Sequence, residues 1–277
     1  MKTFRLIEMA LVAVFMCVNF ASCSGDDDPT EEKEEGGVVI SDKKLAKIVG
    51  TGSYENETYT FKYDDKGRLV SATESFEYYY GDEHQYFDKS SREYQYVWGD
   101  DAIKVNYCYN SNAGSFPSTY ILTLKNGLVQ NGDNGDFIYN KSNRFIRVES
   151  QTYTTTAIWD GDKLVSISDA IEGDGGDATL NYGQSCKKGY FPFIAYMIGG
   201  RDIIFMAHPE IAGMRTNQLP TSVTWTEKDY YTGKTESSTS TLTYEFDKEG
   251  YISKIIGKET DSDDGSTETY TYTLTWQ

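Results

Sequence analysis

The sequence predicts an all-β domain: one large antiparallel meander, a half-barrel sheet curved around a short helical insert. Three observations carry this. From Leu45 onward the chain repeats a unit of alternating aromatic strand, turn and second strand. The turns place Asp-x-x-Gly or Asn-Gly where backbone reversal needs them. One apolar block near residues 189–214, GYFPFIAYMIGGRDIIFMAHPEIAGM, has no such alternation. That block is expected to form one or two short helices covered by the aromatic face of the sheet.

The chain has 277 residues. Residues 1–22 read as a leader: Lys2 and Arg5 precede an apolar run from Met9 to Phe20, too short for a membrane span. Phe20-Ala21-Ser22-Cys23 resembles a bacterial lipobox, with Phe20 and Ser22 standing where Leu and a smaller residue are commoner. The resemblance implies cleavage before Cys23 and lipidation of that cysteine. Residues 23–37 are acidic and nearly devoid of apolar side chains, so they read as a flexible, solvated tether. The acidic run behind Cys23 resembles the signal that sends Bacteroidetes lipoproteins to the cell surface. The expected location is therefore the outer membrane with the domain facing outward; the alternative is a periplasm-facing domain. Residues 38–277 fit one domain, since β barrels and sandwiches run to ~200–250 residues as a unit.

The formal net charge is −17. This excludes a nucleic-acid partner, which needs a basic surface. It also leaves the lipid anchor as the route to a membrane, because the domain itself repels anionic lipid.

The clearest hairpins start at Tyr59 (YTFKYDDKGRLV) and Leu242 (LTYEFDKEGYI). Weaker copies begin at Tyr96, Leu122, Phe137 and Ala157. Period-two alternation puts Tyr59, Phe61 and Tyr63 on one face and Thr60 and Lys62 on the other. In the last strand Tyr270, Tyr272, Leu274 and Trp276 share a face opposite Thr269, Thr271, Thr273 and Thr275. Strands of ~5–8 residues give roughly 14–16 of them, a sheet long enough that it must curl or close. Charged turns and a mean hydropathy of −0.56 argue against an outward apolar band of the membrane-barrel kind.

The lipobox, the Tyr-Asp-x-x-Gly-x-Leu hairpins, the late helical insert and Leu219-Pro-Thr-Ser-Val-Thr-Trp225 together resemble the DUF4595 group of Bacteroidetes lipoproteins. The resemblance covers about Lys43 to Gln277. It implies a porin-like fold and brings no catalytic residues and no known function. The hairpins resemble the YD repeats of large bacterial surface proteins more weakly.

The search for chemistry is brief. His84 and His208 have no neighbouring Cys or His, so no metal site is expected. No nucleophile elbow and no phosphate loop is present, so neither catalysis nor a cofactor is expected. Residues 261–268 (DSDDGSTE) place Gly265 and Glu268 wrongly for a calcium loop and read as a hairpin turn. Cys108 and Cys186 can pair in an oxidising compartment; they also fit two free, buried thiols.

Consecutive aromatics are more informative. Tyr79 must face opposite to Tyr78 and Tyr80, and Tyr230 opposite to Tyr231. Some of these rings are expected to meet solvent or a cleft, where a glycan or protein partner is the expected ligand. The alternative is a carrier, in which Phe191, Phe193, Ile203 and Phe205 line a cavity for an apolar or lipid ligand.

Overall fold

The computed structural model describes residues 43–80, 86–133, 135–151, 153–171, 174–194, 202–214, 216, 218–228, 234–262 and 264–277. The expected leader, the lipidation site Cys23 and the tether fall outside them.

Sixteen strands follow one another as a pure antiparallel meander. They are β1 (Leu45–Thr51), β2 (Glu55–Tyr63), β3 (Leu69–Tyr80), β4 (Tyr86–Trp98), β5 (Ala102–Ser111), β6 (Gly114–Lys125), β7 (Leu128–Gly132) and β8 (Gly135–Tyr139). Then come β9 (Phe145–Glu149), β10 (Tyr153–Asp160), β11 (Lys163–Ile171), β12 (Asp174–Ser185), β13 (Gln218–Lys228), β14 (Thr235–Phe246), β15 (Ile252–Asp261) and β16 (Thr267–Trp276).

The half-barrel expectation is corrected here: the barrel is closed. β1 pairs β16 from Leu45↔Trp276 to Thr51↔Thr271. Closure satisfies the two edges that an open sheet of this length would leave exposed. A pairing between the first and last strands has no local signature, which is why the alternation alone left it open.

The turns explain how the meander reverses. Asp64, Asn140 and Asp247 each accept backbone N–H bonds from residues two and four ahead. Gly67, Asn143 and Gly250 take the positive φ that each such turn requires. Asn126-Gly127 forms the two-residue turn with φ 54° and 76°. These turns, Lys44, Gln277 and the two ends of the β12–β13 connection all lie at one rim. The turns at 52–54, 112–113 and 262–266 lie at the other.

At the first rim the even-numbered strands end in an aromatic donor. Each donates to a carbonyl near the start of the preceding strand. Tyr63 reaches Leu45 O (2.8 Å) and Trp98 reaches Leu69 O (2.7 Å). Tyr139 reaches Val129 O (2.6 Å) and Trp159 reaches Phe145 O (2.7 Å). Tyr182, Tyr244 and Trp276 reach Leu164, Pro220 and Ile252 O, each at 2.7 Å. β6 carries Leu124 at the equivalent place. In β2, β8, β10 and β12 a register shift falls at the step into the donor residue. The donors keep the inward parity of Phe61, Phe137, Ala157 and Leu180, and the extra residue of each bulge lies on the following strand, at Val70, Ile146, Val165 and Thr221.

Inside this girdle sits the expected insert. Helix α1 (Ile204–Ala207) and a 3-10 turn (Pro209–Ala212) are its regular parts. Phe193 packs on Tyr59 (6.3 Å between ring centres) and Tyr272 (5.3 Å), Phe191 on Tyr244, and Phe205 on Phe137. His208 lies between the rings of Tyr63 and Trp98, and its Nε2 accepts the Leu69 N–H at 3.1 Å. The block touches strands around the barrel and plugs this end.

The wall is inverted relative to a membrane barrel. Ile48, Phe61, Val105, Leu180, Ile255 and Leu274 point inward and are buried. Lys62, Glu93, Lys104, Thr123, Thr243, Lys258 and Thr273 point outward and are exposed. A bilayer-spanning barrel needs the opposite arrangement.

Wall height is uneven. β7, β8 and β9 have five residues each, whereas β4 has thirteen. β6 pairs β7 only through Thr123, Leu124 and Lys125, so its residues 114–122 border a notch. The Leu124 N–H bonds Asp101 O on the β5 side. Alternation therefore turns the nitrogen of Pro117 toward the notch, where its missing N–H breaks the row of donors that a foreign strand would pair with.

Rings also cover glycines across strands. A Cβ on Gly257 would lie 2.0 Å from Tyr270 Cζ, and one on Gly50 2.4 Å from a Tyr272 ring carbon. Gly257→Ala is expected to lower the unfolding free energy by about 1–3 kcal/mol through overpacking. In a Tyr270→Ala background the same change should cost less. Urea unfolding of the four variants measures both; equal costs in the two backgrounds would sink the account.

Candidate functional site

The rim opposite the plug is a mouth with two unlike walls. On β3 to β6 the inward side chains form a row. Tyr78 stacks on Phe76 (6.1 Å between ring centres, 11° between planes). The Arg92 guanidinium sits 5.1 Å from the Phe76 ring centre and 6.0 Å from that of Tyr109. Tyr109 stacks on Phe116 (6.2 Å, 26°). Arg92 also pairs with the buried Glu74 at 3.0 Å. Lower in the barrel, Tyr94 stacks on Tyr96 and tilts against Tyr107. Phe116 is 51% exposed, while Tyr78, Tyr107 and Tyr109 are half-buried. Phe116 owes its exposure to the low wall of β7–β9 beside β6.

The adjoining wall, on the other side of β2, is acidic. A small pocket at the ends of β1, β2, β15 and β16 is lined by Tyr54, Glu55, Glu57, Glu259, Glu268, Tyr270 and Tyr272, with Gly50 and Gly52 among its backbone neighbours. Tyr59 donates to one Glu57 oxygen and Tyr272 to the other at 3.3 Å. Burial pushes the Glu259 carboxyl up to about 7, and the charges of Glu268 and Asp261 add to the shift. Burial raises Glu268 as well.

Between mouth and plug, Asp202 accepts bonds from Tyr96 Oη (2.9 Å), Tyr120 Oη and the Ile204 N–H (3.0 Å). Three donors hold a carboxylate that burial would otherwise expel, although burial still pushes its pKa upward.

The residues singled out from the sequence separate. Tyr78 faces the lumen and Tyr79 the outside, where Asn56 Nδ2 donates to its hydroxyl at 3.1 Å. The alternation argument therefore describes this pair correctly. The Tyr80 side chain, His84, Tyr230 and Tyr231 lie outside the described residues. Phe191, Phe193, Ile203 and Phe205 are fully buried in the plug and pack against wall residues and one another. Cys108 and Cys186 are both free: Cys108 is half-buried and Cys186 is buried. Burial pushes the Cys186 thiol up to about 12, and its Sγ donates to Lys188 O. In the 261–268 turn Asp264 accepts the Ser266 N–H at 2.7 Å and Gly265 has positive φ, a hairpin turn as read.

Arg92, Tyr109, Phe116, Glu57 and Glu259 were not foreseen. A signal existed: Glu57 shares strand parity with Tyr59 and Phe61, and Arg92 with Tyr94 and Tyr96. Charge on the aromatic face of a strand marks where the lumen turns polar.

Glu259 gives a pH prediction. Its carboxyl holds a proton in the fold up to about 7, whereas the unfolded chain releases it near 4.5. Between those values the folded state binds more protons, so stability falls as pH rises through the window. Glu259→Gln removes that part of the fall. Comparing urea stability at pH 5 and pH 8, the loss should shrink by roughly 1–2 kcal/mol in the variant. An unchanged loss would place Glu259 in contact with water.

With the geometry in hand, the chain is similar in structure to a porin-like protein from Bacteroides uniformis. The TM-score is 0.56 at 16% identity, covering 84% of this chain and 98% of that one. A porin-like protein from Bacteroides vulgatus aligns with a TM-score of 0.39 at 12% identity, covering 85% and 99%. No family model and no curated protein matches the chain. The first likeness supports a porin-like, closed antiparallel barrel as the fold.

Proposed function

We propose that the protein is a non-catalytic binding module, held at the outer membrane by a lipid on Cys23, whose mouth faces away from that membrane to take a glycan or protein partner. One observation carries this reading. Lys44 and Gln277 exchange backbone bonds of 2.8 Å at the plugged rim, so the tether enters there and the mouth points the other way. The polar outer wall agrees with attachment through a lipid chain instead of insertion. Stable anchoring by lipid follows from acyl burial at about 0.8 kcal/mol per CH₂, and more than one chain is needed.

The carrier reading fits less well. Phe191, Phe193, Ile203 and Phe205 fill the plugged end and contact one another and the wall, leaving their apolar surface already covered. Catalysis also finds little support. The Cys186 thiol is pushed up by burial, and His208 is tied to Leu69 and to Glu210 at 2.7 Å.

Cys23→Ser is expected to move the protein from the membrane fraction to the soluble fraction. Wild-type protein on intact cells should be cut by added protease, and an interior reporter should not. Membrane retention of the variant would refute the anchor; protection of the wild type would refute outward display.

A further inference from the structure

We infer that the inner face of β3–β6 at the mouth is a carbohydrate-binding platform, built by Tyr78, Arg92, Tyr109 and Phe116 and backed by the buried Phe76. The inference rests on the binding-module reading and names its site and ligand class.

The chemistry of the row selects the ligand. Ring centres and the guanidinium follow one another at 5.1–6.2 Å over four strands. The exposed Phe116 and the half-buried Tyr78 and Tyr109 thus offer apolar surface around a polar, planar group, with Phe76 buried behind them. A pyranose ring has the matching surface: a C–H face to lie on a ring and hydroxyls at its edge to bond. A purely apolar ligand offers no acceptor to the partly exposed Arg92 guanidinium, which pairs with the buried Glu74 beneath it. An anionic polymer meets the acidic wall that adjoins the row. A neutral sugar has neither problem, and the half-buried Glu268 can accept its hydroxyl protons. Phe116 lies 51% exposed on this inner face, at the unpaired border of β6 beside the notch. The notch gives an oligosaccharide a lateral exit, so a chain longer than the lumen can lie across the row.

The test uses the full mature lipoprotein in detergent, titrated by calorimetry with hexasaccharides of α-1,4-, β-1,4- and β-1,3-linked glucose and of β-1,4-linked N-acetylglucosamine. Binding of at least one is expected, weakened tenfold or more by Tyr109→Ala and by Phe116→Ala. Arg92→Lys should weaken it too, because an ammonium cannot stack as a guanidinium does. Tyr79→Ala, on the outer face of β3, should bind as wild type. Thermal melts of each variant separate loss of binding from loss of fold. Binding by none of the four sugars, or binding that both ladder variants leave intact, overturns the platform. If a peptide or protein partner then binds the mouth, the module reading survives without it; if Cys23→Ser and protease accessibility also fail, both fall.

Discussion

The barrel depends on its rim of aromatic donors. A sheet of sixteen strands holds its shape only if every hairpin meets the next at a fixed angle. Here a tyrosine or tryptophan at the end of seven strands bonds back to the strand before it. Each bond is worth about 0.5–1.5 kcal/mol net. The larger effect is geometric: the ring must turn inward to reach its carbonyl, and turning inward puts its apolar body on the plug. One residue therefore closes a hairpin, sets the rim and lines the seat of the insert.

The plug in turn decides where polarity is tolerated. Its apolar side chains fill the end nearest the chain termini, and Asp202 and His208 are held by bonds to the wall. Past Asp202, inward positions change from Phe, Leu and Ile to Glu, Arg and Tyr. The acidic and aromatic walls of the mouth lie beyond the described residues of the plug.

The hairpins were legible because their causes are local. Asp64, Gly67, Asp247 and Gly250 act within five residues of sequence, and alternation in β16 is read directly. The rim donors were half legible. Their position just before the turns is visible in Tyr63-Asp64 and Trp159-Asp160, but their acceptors lie on the preceding strand. Closure of β1 on β16 joins residues more than two hundred positions apart, and no periodicity encodes it. The mouth was missed for a related reason: Glu57 and Glu259 come from opposite ends of the chain and meet only after closure. Tyr79 shows the reverse case, a ring whose direction follows from parity alone.

The joined termini have a mechanical consequence. Lys44 and Gln277 clasp each other, and β1 is bonded along its length to β2 on one side and β16 on the other. A pull entering at residue 43 runs along the axis of β1. It loads both ladders in shear, so many bonds must fail together, where a pull across the strand would open them one by one. The seam that closes the barrel is thus also the part best placed to bear tension from the amino-terminal side.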